Sequence, residues 1–307
     1  MRFPLFQRVL FSVAFLLACI VATDFADAKG KSGGCGPATL FSWNGCCECE
    51  DAGGENGDME FEIEEEEPLV TDRPDFTESS STVGVGVVQL EMGYTFVEDT
   101  SGGTRVRGHS LPQALWRVGL FRDWFEFRIA QTWVEERTST GGVRNTESGL
   151  DDLYIGAKIA LTEQCGCLPE MAIIPQALVP TGDDAFTTNQ FMPGLNWVYS
   201  WEVTDCLSVA GSTQANRARD DSGEAYTEFA QSATAAVGLT DRLGAYGEWF
   251  AFFPHSANAP SAKPEHYFNG GFTYLLTNDV QFDIEAGVAL NRHAEDFFAA
   301  TGLSIRW

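Results

Sequence analysis

The stretch LLTNDVQFDIEAGVALN, residues 275–291, sets a polar or acidic side chain at every second position once its Thr277-Asn278-Asp279 turn is passed. Gln281, Asp283 and Glu285 alternate with Val280, Phe282, Ile284 and Ala286. Successive side chains of a strand point to opposite faces, so this is a strand with one wet face and one apolar face. Nearer the start, Val88, Leu90, Met92, Tyr94 and Phe96 alternate in the same way with Gln89, Glu91, Gly93 and Thr95. The signal varies in clarity and predicts strands at 83–96, 109–120, 124–135, 151–161, 170–179, 192–201, 207–216, 225–239, 243–253, 267–276, 280–290 and 297–307. Residues 170–179 are apolar on both faces and 225–239 are weakly patterned. That makes about twelve strands, many near the ~9–11 residues that carry a tilted strand across a bilayer.

The connections alternate in length. Short turns fall at Phe121-Arg122-Asp123, 162–169, 202–206, Thr240-Asp241-Arg242 and Thr277-Asn278-Asp279. Longer polar loops are expected at 97–108, 136–150, 180–191, 217–224, 254–266 and 291–296. Transmembrane barrels have this asymmetry, with short periplasmic turns and long outer loops. A soluble sandwich also alternates, but its apolar faces fill one core. Here many apolar faces end in aromatics, among them Tyr94, Phe96, Trp133, Tyr199, Trp201, Trp249, Tyr274 and Trp307, which suits the girdles of a lipid-facing wall. Turning Asp283 and Glu285 to lipid would cost roughly 2–4 kcal/mol for a midplane charge, acids at the lower end, so Phe282, Ile284 and Ala286 face lipid. The fold class expected is all-β: a transmembrane, antiparallel, up-and-down β-barrel over 83–307. An even strand number puts both of its ends on the periplasmic side.

The formal charge of −25 argues against nucleic acid as a partner, since nothing here would neutralise phosphates. Residues 1–28 read as a signal peptide: Arg2 and Arg8, an apolar run over 9–22, then the small-x-small site Ala26-Asp27-Ala28. A membrane anchor is the other reading, but the run is short for a spanning helix of ~20 residues. Leu16-Leu17-Ala18-Cys19 has the outline of a lipoprotein box, yet apolar residues continue past Cys19. Residues 29–69 are glycine-rich and acidic, with a run at Glu64-Glu65-Glu66-Glu67, and predict a disordered periplasmic tether. The tether carries Cys35, Cys46, Cys47 and Cys49. No second CxxC and no histidine complete a zinc site, so no metal is expected, and disulfides or simple variability suit an oxidising compartment better. Seven of the eight cysteines follow residue 28, an odd number for a complete framework. Cys165, Cys167 and Cys206 map to the short-turn side, where pairing would meet strict geometry.

The stretches PLVTDRPDFTESSSTVGVGVVQLEMGYTF, SLPQALWRVGL, GLDDLYIGAKIAL, QALVPTGDD and HYFNGGFTYLLTNDVQFDIEAGVALN resemble the outer-membrane barrels of the MetA-pathway of phenol degradation family. The resemblance spans roughly residues 69–307. It implies an outer-membrane location and a role in moving small, hydrophobic or aromatic compounds, loosely like FadL-type channels. One departure is Gln113, where the family pattern leads us to expect an acid after Pro112. Trp307, with Ile305 and Leu303 at alternate positions, resembles the C-terminal signal read by the barrel-assembly machinery.

Inward positions expected in such a barrel are Glu91, Arg117, Glu126, Arg128, Asp152, Lys158, Glu248, Asp283, Glu285 and Arg306. They would form either a charged constriction that selects solutes or an ion-pair network that fills a narrow barrel. Residues 70–82 lead into the first strand. They are either a plug, with Asp72, Arg73 and Asp75 reaching the lumen, or a strand-entry turn stiffened by Pro74. His109-Ser110 is the one sequence hint of a hydrolase, but adjacency is no triad, and there is no Walker loop, GxGxxG or HExxH. No catalysis and no cofactor are expected. The partners expected are outer-membrane lipid, the assembly machinery and a small-molecule solute. The alternative is a structural or adhesive barrel with a filled lumen.

Overall fold

The computed structural model describes residues 67–220, 223–257, 259 and 262–307. The residues read as a signal peptide, Cys19 and nearly all of those read as an acidic tether, with its four cysteines, lie outside the described residues. The strands are β1 Val88–Ser101, β2 Thr104–Gly119, β3 Phe125–Thr140, β4 Val143–Leu150, β5 Leu153–Thr162, β6 Glu170–Val179 and β7 Met192–Thr204. They continue with β8 Leu207–Arg219, β9 Ala225–Gly238, β10 Leu243–His255, β11 Glu265–Thr277, β12 Val280–Ala289 and β13 Phe297–Arg306. β13 pairs back onto β1, from Gln89 opposite Arg306 to Glu98 opposite Phe297, which closes the sheet.

β4 and β5 both pair with β3, β4 along its Trp133–Thr140 half and β5 along its Phe125–Ala130 half. They are two halves of one wall position, broken at Asp151-Asp152, so the thirteen strands make a closed twelve-stranded antiparallel barrel. No helix occurs among the described residues.

The alternation read in β12 is realised: Gln281 and Asp283 are 7% and 0% exposed, whereas Phe282 and Ile284 are 42% and 44% exposed. Around the barrel the fully buried side chains include Arg117, Arg128, Lys158, Glu91, Glu126 and Glu248, while Trp116, Phe127, Trp197, Phe229, Phe268 and Phe272 are exposed. This inversion of a soluble protein's pattern is stable only with hydrocarbon outside.

Three expectations need correction. The first strand starts at Val88 rather than at residue 83. The two loops expected at 97–108 and 136–150 are the upper parts of long hairpins, β1–β2 and β3–β4. Each is closed by two glycines with positive φ, Gly102-Gly103 and Gly141-Gly142, the geometry that matches the twist of paired strands. Above the lipid a strand has no need of an apolar face, so its period-two signal vanishes. A bulge between Ser110 and Gln113 also shifts the phase of β2.

Candidate functional site

Residues 69–83 enter the barrel from the short-turn end, cross its interior and return to the same end. At entry the Leu69 N–H donates to the Asn278 carbonyl (2.7 Å), and at the exit the Thr82 hydroxyl donates to the Asp123 carbonyl. Between these points the backbone is gripped by wall carboxylates. Glu91 of β1 accepts from the Asp72 and Arg73 N–H groups (each 3.1 Å). Glu248 of β10 accepts from the N–H groups of Phe76 (2.7 Å) and Thr77 (2.8 Å), and Glu126 of β3 accepts from that of Val83 (3.0 Å). A carboxylate has about four lone-pair sites, which is why one inward acid can hold two successive amides. We call this segment the strap.

Charge complementarity fixes its N-terminal half. The Asp72 carboxylate accepts from Arg128 Nη1 (2.7 Å) and Lys158 Nζ (2.7 Å), with Arg117 Nε at 3.4 Å. Arg117 is itself saturated: Nε and Nη2 reach both oxygens of Glu126 (2.8 and 2.9 Å), and Nη1 reaches Glu91 (2.9 Å) and the Val70 carbonyl (3.1 Å). Glu78 bridges Arg128 Nη2 (2.6 Å) and Asn196 Nδ2 (2.9 Å). Arg73 crosses to β12, donating to both oxygens of Asp283 (3.2 and 3.3 Å) and to Gln113 Oε1 (3.4 Å). It lies against Gly93 and Gly302, which pair across β1 and β13; a Cβ on either would collide with the guanidinium. Charges this deeply buried are tolerable only because they are paired and hydrogen-bonded.

The other half is held by hydroxyls and rings. Thr77 Oγ1 meets Ser232 Oγ (2.6 Å), Thr234 Oγ1 (3.0 Å) and Glu248 Oε1 (2.6 Å). The Phe76 ring stacks on Phe250, with centroids 4.8 Å apart and planes at 9°, within a group that includes Phe252, Tyr267 and Phe298. Beside the strap a cavity of about 440 Å³ opens at the short-turn end, lined in part by Arg73, Asp75, Ser208, Ala236, Tyr246 and Thr273.

Of the ten inward residues expected, Glu91, Arg117, Glu126, Arg128, Lys158, Glu248 and Asp283 contact the strap directly. Glu285 accepts from the Tyr246 hydroxyl (3.0 Å). Asp152 is not part of this constriction. It sits at the β4–β5 break and holds the 180–191 loop through the Gly182 and Thr188 N–H groups and the Thr188 hydroxyl. Arg306 is at the short-turn rim, bound to Asp279 (2.7 Å). Of the residues singled out in the strap, Asp72 and Arg73 make the ion pairs above, and Asp75 lines the cavity. Phe76 lies in the stretch expected as a plug, although its ring contact was not foreseen; Thr77, Glu78, Gly93 and Gly302 were not singled out, and a cluster of unmatched inward charges near one end was the available signal. His109 points outward, where its Nδ1 meets the Tyr94 hydroxyl (2.8 Å), and Ser110 faces the other side of the sheet. Cys167 and Cys206 are exposed at the short-turn end.

At the opposite end the loop residue Glu295 has its carboxyl raised above the usual range by burial and then by the like charges of Glu265, Asp99 and Glu136. The long-loop mouth is therefore acidic.

Residues 71–307 match the family model described as "Putative MetA-pathway of phenol degradation". The chain belongs to this family. No curated protein matches the sequence. Among solved structures this family member is similar to the COG4313 outer membrane channel of Pseudomonas putida F1, at 12% identity over 75% of this chain and 98% of that one, with a TM-score of 0.59. Looser likenesses are the NanC porin (13% identity, 71% and 98% covered, TM-score 0.42) and the translocator domain of the autotransporter NalP from Neisseria meningitidis (10%, 72% and 88%, 0.49). The likeness to the Pseudomonas putida protein shows the fold of a bacterial outer-membrane β-barrel.

Proposed function

We propose that this barrel passes small apolar or aromatic molecules across the outer membrane and is closed while the strap fills its short-turn half. The short-turn end, with both barrel termini, faces the periplasm, as short turns do in such barrels. The observation that carries this reading is how the strap is attached. From residue 70 to residue 83 it makes no backbone–backbone hydrogen bond to a wall strand among the described residues; side chains hold it. It can leave without unzipping the sheet. The aromatic group around Phe76 and Phe250 supports an apolar solute, because it is a ring-lined apolar patch in an interior that is elsewhere rich in charged side chains.

A structural barrel with a filled lumen is the second reading, and the full saturation of Arg117 favours it. Liposome swelling separates the two. Full-length protein that admits small aromatic solutes faster than empty liposomes supports the channel. Folded protein that admits none, even after the strap is weakened, supports the filled barrel.

A further inference from the structure

The upper parts of β1–β4 form a sheet whose two faces carry opposite charge. Register aligns three rows across its outward face: Phe96, His109, Glu135 and Ser148; then Glu98, Arg107, Arg137 and Thr146; then Thr100, Arg105, Ser139 and Arg144; next to the first of these, toward the middle of the barrel, come Tyr94 on β1 and the Trp133–Leu150 pair of β3 and β4. The face therefore runs from aromatic, through mixed, to basic with distance from the middle of the barrel. Asp99, Glu136 and Glu147 lie on the inward face of the same strands. All four arginines of this sheet point outward and are exposed, in a chain with only 19 lysines and arginines against 44 acids.

Two of the four are neutralised. Arg107 pairs with Glu98 at 2.6 Å, and Arg137 pairs with Glu135. Arg105 and Arg144 flank Ser139, two strand spacings or about 10 Å apart, and neither makes an ion pair or side-chain hydrogen bond among the described residues. A gap of that width over a serine hydroxyl, bounded by two guanidinium groups with no carboxylate partner, can hold one anionic group in contact with both. We propose that this outward face binds the phosphate groups of the phosphorylated glycolipid in the surrounding leaflet. Arg105 and Arg144 are the principal contacts, Ser139 is a hydroxyl donor, and the aromatic rows below lie against the acyl chains. Guanidinium matches phosphate in a two-point geometry that an ammonium cannot copy. The net charge of −25 does not prevent this: the outward carboxylates Glu98 and Glu135 are already paired with Arg107 and Arg137, Asp99, Glu136 and Glu147 face the lumen, and charges beyond ~8–10 Å are screened. The proposal rests on the orientation given above, which sets this face at the headgroup border of the outer leaflet.

The test is lipid retention by full-length folded barrel in detergent, read by native mass spectrometry, with two probes: lipopolysaccharide bearing its lipid A phosphates, and the same glycolipid dephosphorylated. Wild type should retain the phosphorylated form preferentially. R105Q/R144Q should lose about fivefold in retention per arginine removed, the worth of a basic residue at an anionic lipid surface. Both positions are exposed, and folding is checked by the heat-dependent gel shift; R105K/R144K should keep part of the preference. Equal retention of the two glycolipids by wild type, or unchanged retention by R105Q/R144Q, overturns the proposal. Orientation is tested separately with a membrane-impermeant thiol reagent on intact cells. Labelling of Thr140→Cys with no labelling of Cys167 and Cys206 supports an outer leaflet partner. The reverse pattern overturns the orientation, and with it the glycolipid as partner, even if phosphate binding persists in detergent.

Discussion

Asp72→Asn is the sharpest perturbation of the strap. The carboxylate joins Arg128 and Lys158, each at 2.7 Å, with Arg117 at 3.4 Å and the Ser79 N–H (2.9 Å) and hydroxyl (2.7 Å) as further donors. After the change Arg117 keeps Glu91 and Glu126, and Arg128 keeps Glu78. Lys158 keeps only the Ser79 hydroxyl (3.0 Å) and the Ser81 carbonyl (3.3 Å), so a buried ammonium loses its carboxylate. Breaking a buried pair by removing one partner costs about 3–5 kcal/mol. If that cost falls on the strapped state alone, the released state gains on the order of 10²–10³ in population, since each 1.4 kcal/mol is about tenfold. The assay is single-channel recording in planar bilayers, with folding checked by the gel shift. Open events should become frequent. The double variant Asp72→Asn/Lys158→Met should recover part of the closed state, because it removes the orphaned charge. Recordings of folded Asp72→Asn that match wild type would refute the argument that this charge centre holds the strap.

Other substitutions test other contacts. Glu248→Gln replaces a two-oxygen acceptor with one oxygen and one NH₂, so Phe76 or Thr77 loses its amide partner; about 1–3 kcal/mol of local stability should go, seen as faster hydrogen exchange at residues 76–77. Phe76→Ala removes the ring stacked on Phe250, and as the ring is only half-buried the loss should be about 3 kcal/mol, the low end for phenylalanine; solute should enter liposomes faster. Ile284→Arg on the lipid face should lower stability by about 2–4 kcal/mol in urea titrations of barrel folded into vesicles, if the site lies near the midplane.

The barrel was legible in the sequence because a strand between lipid and water must alternate, and β12 does so without a break. The pairing of β1 with β13 was legible only as an even strand number. The hairpins above residues 97 and 136 were not legible, because polar side chains on both faces, arginines outward and Asp99, Glu136, Thr138 and Glu147 inward, read as loop once lipid no longer selects one face. The strap was half legible. Thr71-Asp72-Arg73-Pro74-Asp75-Phe76 stood out by composition, and the inward charges stood out by period. Nothing in the spacing joins Asp72 to Arg117, Arg128 and Lys158, which lie on three separate strands and converge only when the barrel closes. Gln113 stands where an acid was expected and accepts from Arg73 and from Thr95 Oγ1 (2.8 Å), tasks that an amide oxygen performs.

The most direct test of a strap that opens is to lock it. Thr77 Oγ1 and Ser232 Oγ are 2.6 Å apart, so cysteines at these positions, in a background lacking the native ones, meet the reach of a disulfide. The oxidised protein should be silent in bilayers, and conductance and solute entry should appear on adding reductant. Conduction by the oxidised, locked barrel equal to that of the reduced one would contradict an opening strap.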